Sequence, residues 1–174
     1  YRVAALAPSP AVRAAPRSPR YVAPMRTVFF VAPFLMEATL KYIQAANSVA
    51  GTRLVVLTQD SAEKLPAGAM HYSVANALDP ACLVAACRDV VRHTGGAHRV
   101  IGILENAQEA IAEVREALGL PGLGLAAASR FRDKGVMKKA LRDAGIPCAR
   151  YARVRSAADA HRFVAEVGYP IVMK

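Results

Sequence analysis

The sequence predicts an α/β fold built on a parallel sheet, and three observations predict it. Short β-branched and aromatic runs alternate along the chain with stretches that carry apolar residues at helical spacing. The strand runs are continuously apolar, as strands covered on both faces must be. Helix start and stop signals, such as Asp79-Pro80 and Gly95-Gly96, fall between the two kinds of segment.

Taken in order, residues 1–24 hold Pro8, Pro10, Pro16, Pro19 and Pro24 among Ala, Arg and Ser. Proline at that density blocks helices and sheet ladders, so this stretch is expected to be a disordered extension. Met25 precedes the first strand, 27–32. A helix is expected over 36–49, stopped by Gly51, and a second buried strand over 53–57. A short strand is expected near 71–74. Asp79 is a good N-cap with Pro80 in the first helical position, and the helix should run to Thr94. A strand over 99–104 follows, then a helix capped by Asn106 that ends near Leu118. Ser129 is expected to cap a helix reaching Asp143 and Ala144, with Gly145 as its C-cap. A strand over 150–154, a helix from Ser156 to Val167 and a last strand over 170–173 complete the pattern. Gly119, Gly122 and Gly124 follow a helix instead of a strand, so they are read as a loop and not as a phosphate cradle.

Composition narrows the function classes. The chain is 54% hydrophobic and 21% charged, which is the balance of a globular protein. No apolar run approaches the length of a membrane span. Cys82, Cys87 and Cys148 lack metal-type spacing and are expected to be buried thiols in a reducing cytosol. The formal charge is +10, and it is unevenly spread. Residues 130–155 carry nine Lys or Arg against Asp133 and Asp143, while 25–125 are nearly neutral. Such clustering suits a polyanionic partner, either a nucleotide triphosphate or nucleic acid. Nucleic acid is disfavoured because aromatic residues are only 6% and do not alternate with the basic ones. His71, His93, His98 and His161 form no persuasive ligand set, and there is no Gly-x-Ser-x-Gly elbow.

In a parallel sheet, ligands bind at the carboxyl ends of the strands. The loops at 33–36, 58–61 and 105–106 are therefore the places to look, and Glu105 is a candidate substrate contact. The first of these loops reads Ala32-Pro33-Phe34-Leu35, without the glycines of a dinucleotide fingerprint, which argues against a dehydrogenase.

The carboxy-terminal quarter carries the most specific signal. Arg132-Asp133-Lys134-Gly135 lies on a predicted helix, Ala144-Gly145-Ile146-Pro147 forms a turn, and Gly168-Tyr169-Pro170-Ile171-Val172-Met173-Lys174 follows. These elements, in this order, resemble the entry to the ATP-grasp superfamily, the front end shared by carboxylate–amine ligases and biotin carboxylases. The resemblance covers about 126–174. It implies a Rossmann-like, parallel-sheet pre-ATP-grasp domain over 25–125, followed over 126–174 by the start of an incomplete α+β ATP-grasp subdomain. Lys134 and Lys174 would approach the ATP phosphates, since an ammonium is a point charge for phosphate oxygens. ATP and Mg2+ would be the cofactors of the complete enzyme, with small-molecule carboxylate and amine substrates and a cytoplasmic setting.

A lysine closing a strand looks like the middle of a motif, so the chain is expected to be the front portion of a larger ligase that is inactive by itself. On this expectation no catalytic residue and no metal ligand lies within it. The alternatives are a non-catalytic interaction module that forms a homodimer and, less favoured, a basic nucleic-acid-binding domain.

Overall fold

The computed structural model describes residues 25–173; the proline-rich stretch 1–24 and Lys174 lie outside the described residues. Four strands form one parallel sheet: β1 (Arg26–Val31), β2 (Thr52–Thr58), β3 (Met70–Ser73) and β4 (Arg99–Ile101). Their order across the sheet is β3-β2-β1-β4. The α/β parallel-sheet expectation is met.

The two central strands divide their side chains by a period of two. Phe29, Val31, Val55 and Leu57 point into one apolar cluster, and Phe30, Ala32, Leu54 and Val56 into the other. Register follows from this, because Phe29 pairs with Val55 and Phe30 with Val56. A slip of one residue would exchange the two faces. Helix α1 (Glu37–Asn47) covers the second cluster through Ile43. Helices α2 (Pro80–Thr94) and α3 (Gln108–Leu118) cover the first through Leu83, Cys87 and Val90 and through Ala110, Ile111 and Val114.

Local chemistry sets the helix ends. Asp79 caps α2 as expected, its Oδ1 accepting from Cys82 N at 2.7 Å. Two expected caps are corrected. Asn106 does not cap α3; residues Glu105–Ala107 form a single 3-10 turn that leads into the helix, and Ala107 precedes it. Ser129 is inside a helix, α4 (Leu125–Arg132), and its Oγ donates to Glu109 Oε1 at 2.7 Å. The expected single helix is broken at Asp133, which caps α5 (Lys134–Asp143). Gly145 then closes α5 at φ +70, with Gly145 N donating to Arg142 O and Ile146 N to Leu141 O. That pair of bonds is the Schellman closure, which places glycine in the left-handed conformation. Ser156 caps the last helix, α6 (Ala157–Val167), by accepting from Asp159 N at 3.2 Å.

The expected strands over 150–154 and 170–173 are absent among the described residues. An extended segment becomes a strand only when a neighbour completes its ladder, and no described segment does so. Side chains hold 149–153 against α5 instead. Lys138 Nζ donates to Ala149 O at 2.8 Å, and Arg153 pairs with Asp133 at 2.7 Å. Helices α5 and α6 bury no residue completely. Nor are all three thiols buried: Cys82 is exposed, Cys148 is partly covered and only Cys87 is buried.

Candidate functional site

The chain leaves β1 toward β2 and β3, then returns through α2 to β4 on the opposite flank of β1. The topological switch point therefore lies between the carboxyl ends of β1 and β4, where parallel α/β sheets open a crevice for ligands. Two loops that the sequence singled out, 33–36 and 105–106, follow the two strands that flank it.

Polar contacts fix the first loop. Leu35 N donates to Asp60 Oδ2 at 2.7 Å, and Gln59 N donates to Pro33 O at 3.2 Å. Asp60 N in turn donates to Thr58 Oγ1 at 3.1 Å. The end of β2 thus holds the loop after β1, leaving Phe34 and Met36 exposed on the edge. The second loop is fixed by Gln108, whose Nε2 donates to Gly102 O at 2.9 Å and to Leu104 O at 3.0 Å. Gly102 lies where β4 and β1 come closest. A Cβ there would sit 2.5 Å from Ile111 Cδ1 and 2.9 Å from Val31 O.

Of the sequence-predicted site residues, Glu105 and Lys134 are brought together. Glu105 begins the 3-10 turn beyond β4, and Lys134 is the first residue of α5. Lys134 Nζ lies 3.7 Å from Glu105 Oε1 and donates to Phe131 O at 3.3 Å. Both side chains remain more than half exposed. Lys174 falls outside the described residues.

Asp133 sets where Lys134 stands. Its Oδ1 accepts from Gly135 N at 2.7 Å and from Val136 N at 3.1 Å, while Oδ2 accepts from Arg153. The Val136 amide, then Arg153 and the Gly135 amide, hold this carboxyl below the ordinary aspartate range. Gly135 is closely framed, because a Cβ there would approach Asp133 Oδ1 and Tyr151 Cε1 at 3.1 Å each. The Asp-Lys-Gly run is therefore a cap, a projecting ammonium and a space for a neighbouring ring.

Sequence reasoning passed over Asp60, Gln108 and Arg153. Asp60 sits in the 58–61 loop already marked as a place to look, so only its role as a brace was missed. Gln108 and Arg153 carried no signal, since each acts on backbone or carboxylate brought close by the fold.

The edge is an open shelf. Two hollows lie elsewhere, one of about 720 Å³ between α2 and α3 and one of about 300 Å³ beside Cys148 and Tyr151. No group of three or more His, Cys, Asp or Glu among the described residues could hold a metal ion. No described helix is long and apolar enough to cross a membrane.

No protein-family model matches the chain, and no curated protein matches it in sequence. Solved structures do. An L-amino acid ligase from Bacillus licheniformis matches at 16% identity and TM-score 0.60, over 84% of this chain and 43% of its own. A phosphoribosylglycinamide synthetase from Anaerococcus prevotii matches at 18% identity and TM-score 0.62, over 83% of this chain and 35% of its own. The ADP complex of an N5-carboxyaminoimidazole ribonucleotide synthetase matches at 19% identity and TM-score 0.64, over 86% of this chain and 37% of its own. One of these is a ligase and two are synthetases, and at 16–19% identity the likeness is one of fold. The expected resemblance holds at the level of fold, and the chain spans less than half the length of each of these structures.

Proposed function

We propose that this chain forms the front portion of an ATP-dependent ligase that activates a carboxylate as an acyl phosphate and joins it to an amine or similar nucleophile. The observation that carries the reading is the meeting of Glu105 and Lys134 beside the switch point, on a fold shared with the N-terminal part of ATP-dependent ligases. Residues 25–125 serve as the platform and 126–174 as the start of the nucleotide-binding unit.

Phosphoryl transfer demands that the triphosphate be neutralised and held in line. Lys134, projecting from a capped helix end, supplies one cation for it, and Lys174 supplies a second. Glu105 is a carboxylate on the same shelf. It would repel a phosphate and attract an ammonium, so its role is to orient an amine substrate or to hold Lys134 until nucleotide arrives. The described residues offer no fitting set for Mg2+. On this reading the 174-residue chain alone binds nucleotide weakly and turns nothing over.

Nucleotide titration of the chain, followed by amide chemical shifts, tests this. ATP should move the resonances of Lys134 and its neighbours at the start of α5, and Lys134→Ala should remove most of that change. Shifts scattered over unrelated surfaces, or a response indifferent to Lys134→Ala, would overturn the assignment.

A further inference from the structure

We infer that the outer face of α2 and α3 is an interface between two copies of this chain. The first two turns of α2 read Pro80-Ala-Cys-Leu-Val-Ala-Ala-Cys87 and contain no charged residue. Leu83 and Cys87 are spent on the core, yet Ala81, Cys82 and Ala85 are exposed. A helix face that meets water is ordinarily charged or polar, and an apolar face rimmed by charges marks a contact surface. Here that face forms one wall of the groove of about 720 Å³, with Val84 half-buried along it, Ala117 of α3 exposed on the opposite wall and Leu125, at the start of α4, half-buried at its edge.

Charge identifies the occupant. Arg88 borders the groove from α2, and Glu113 borders it from α3. Among the described residues neither takes part in a salt bridge or a side-chain hydrogen bond. Both helices begin at the carboxyl edge of the sheet and run the same way, since each follows a strand of one parallel sheet. At about 1.5 Å rise per residue, Arg88 lies about 12 Å into α2 and Glu113 about 8 Å into α3. Counted from those starts they differ by about 4 Å along the axes, within reach of an arginine side chain. A two-fold axis along the groove turns α2 of one copy toward α3 of the other without changing level. It therefore sets Arg88 against the partner's Glu113, and Glu113 against the partner's Arg88. The surface is self-complementary in the sense that an isologous dimer requires. Small side chains on both walls let the helices approach closely.

Sedimentation equilibrium of the complete chain over a wide concentration range tests this, with a parallel series in Arg88→Glu and Glu113→Arg. Wild type should approach twice the single-chain mass. Each single reversal should weaken association by more than about tenfold, because like charges then face each other. An equimolar mixture of the two variants should recover association, since each offers what the other now lacks on one side of the axis. Circular dichroism spectra matching wild type would show that the substitutions leave the fold intact; Glu116 is spared because it accepts from Leu125 N at 2.7 Å. A chain that remains monomeric at the highest concentration overturns the inference. So does a dimer unchanged by either reversal, or a mixture no tighter than its components.

Discussion

Replacing Gly102 by alanine loads the one place where the carboxyl ends of β1 and β4 meet the helix behind them. The new methyl would stand 2.5 Å from Ile111 Cδ1, 2.9 Å from Val31 O and 3.6 Å from Val31 Cβ. The first contact can be relieved by turning the end of the Ile111 side chain, although that residue is completely buried and its rotamers are limited by packing. The second cannot, because Val31 belongs to a central strand and is held in register with Leu57. Overpacking of this kind costs about 1–3 kcal/mol. Alanine recovers about 0.4–1 kcal/mol by restricting the unfolded chain, and the backbone of Gly102 is outside the left-handed region, so no conformational penalty is added. A net loss of about 1–2 kcal/mol is expected, which in a chain of this size lowers Tm by about 2–8 °C.

Urea unfolding followed by circular dichroism measures the loss, and a double-mutant cycle locates it. Ile111→Val removes the δ-carbon; alone it should cost about 0.5–1.5 kcal/mol. In the Gly102→Ala background it should cost less, because it also relieves the clash. A Gly102→Ala protein as stable as its parent would refute the close approach. Additive losses in the double variant would refute the part assigned to Ile111.

Two further outcomes follow from ionisable groups. Asp133 has a folded pKa below its ordinary value, chiefly through the Val136 amide, so its capping contribution is present above about pH 4 and is lost as pH falls through the depressed value. Protection of the Gly135 and Val136 amides, taken relative to their intrinsic exchange rates, should therefore fall at acid pH, and Asp133→Asn should flatten that dependence; an unchanged protection profile would count against the cap. Burial pushes the Cys87 thiol up to about 12, so at pH 8 a thiol reagent should modify Cys82 and Cys148 while Cys87 waits for unfolding. Rapid labelling of Cys87 in the native protein would show that α2 does not seal the core.

The strands and helices of 25–118 were legible because each carries its own evidence. Val55 and Val56 belong to a run too apolar and too short for anything but a buried strand, and Asp79-Pro80 announces a helix whatever lies around it. Beyond 125 the signals were real but local. The apolar residues around Phe131 and Val136 gave a helical period, yet period does not reveal that Asp133 interrupts it to accept from Gly135 and Val136. The 150–154 segment has strand composition, but a ladder is a property of two segments, and composition describes one. For the same reason Gln108 and Arg153 were invisible, while Asp60 lay within a loop already under suspicion.

The Glu105–Lys134 contact shows where sequence reading and geometry divide. Each residue was chosen on separate grounds, one for following a strand and one for its place in an Asp-Lys-Gly run, and nothing in the chain states that they meet. The contact itself is too weak to be what holds α5 beside the sheet. At 3.7 Å, with side-chain exposures of 58% and 65%, such a pair is worth about 0–1 kcal/mol. The junction rests instead on α4 against α3, on buried Ala128, and on the bond from Ser129 to Glu109. Lys134 is thus delivered to the edge of the sheet by contacts in which its ammonium takes no part. An ammonium placed this way, with an exposed carboxylate at 3.7 Å and the Phe131 carbonyl at 3.3 Å, loses little when these contacts are exchanged for others.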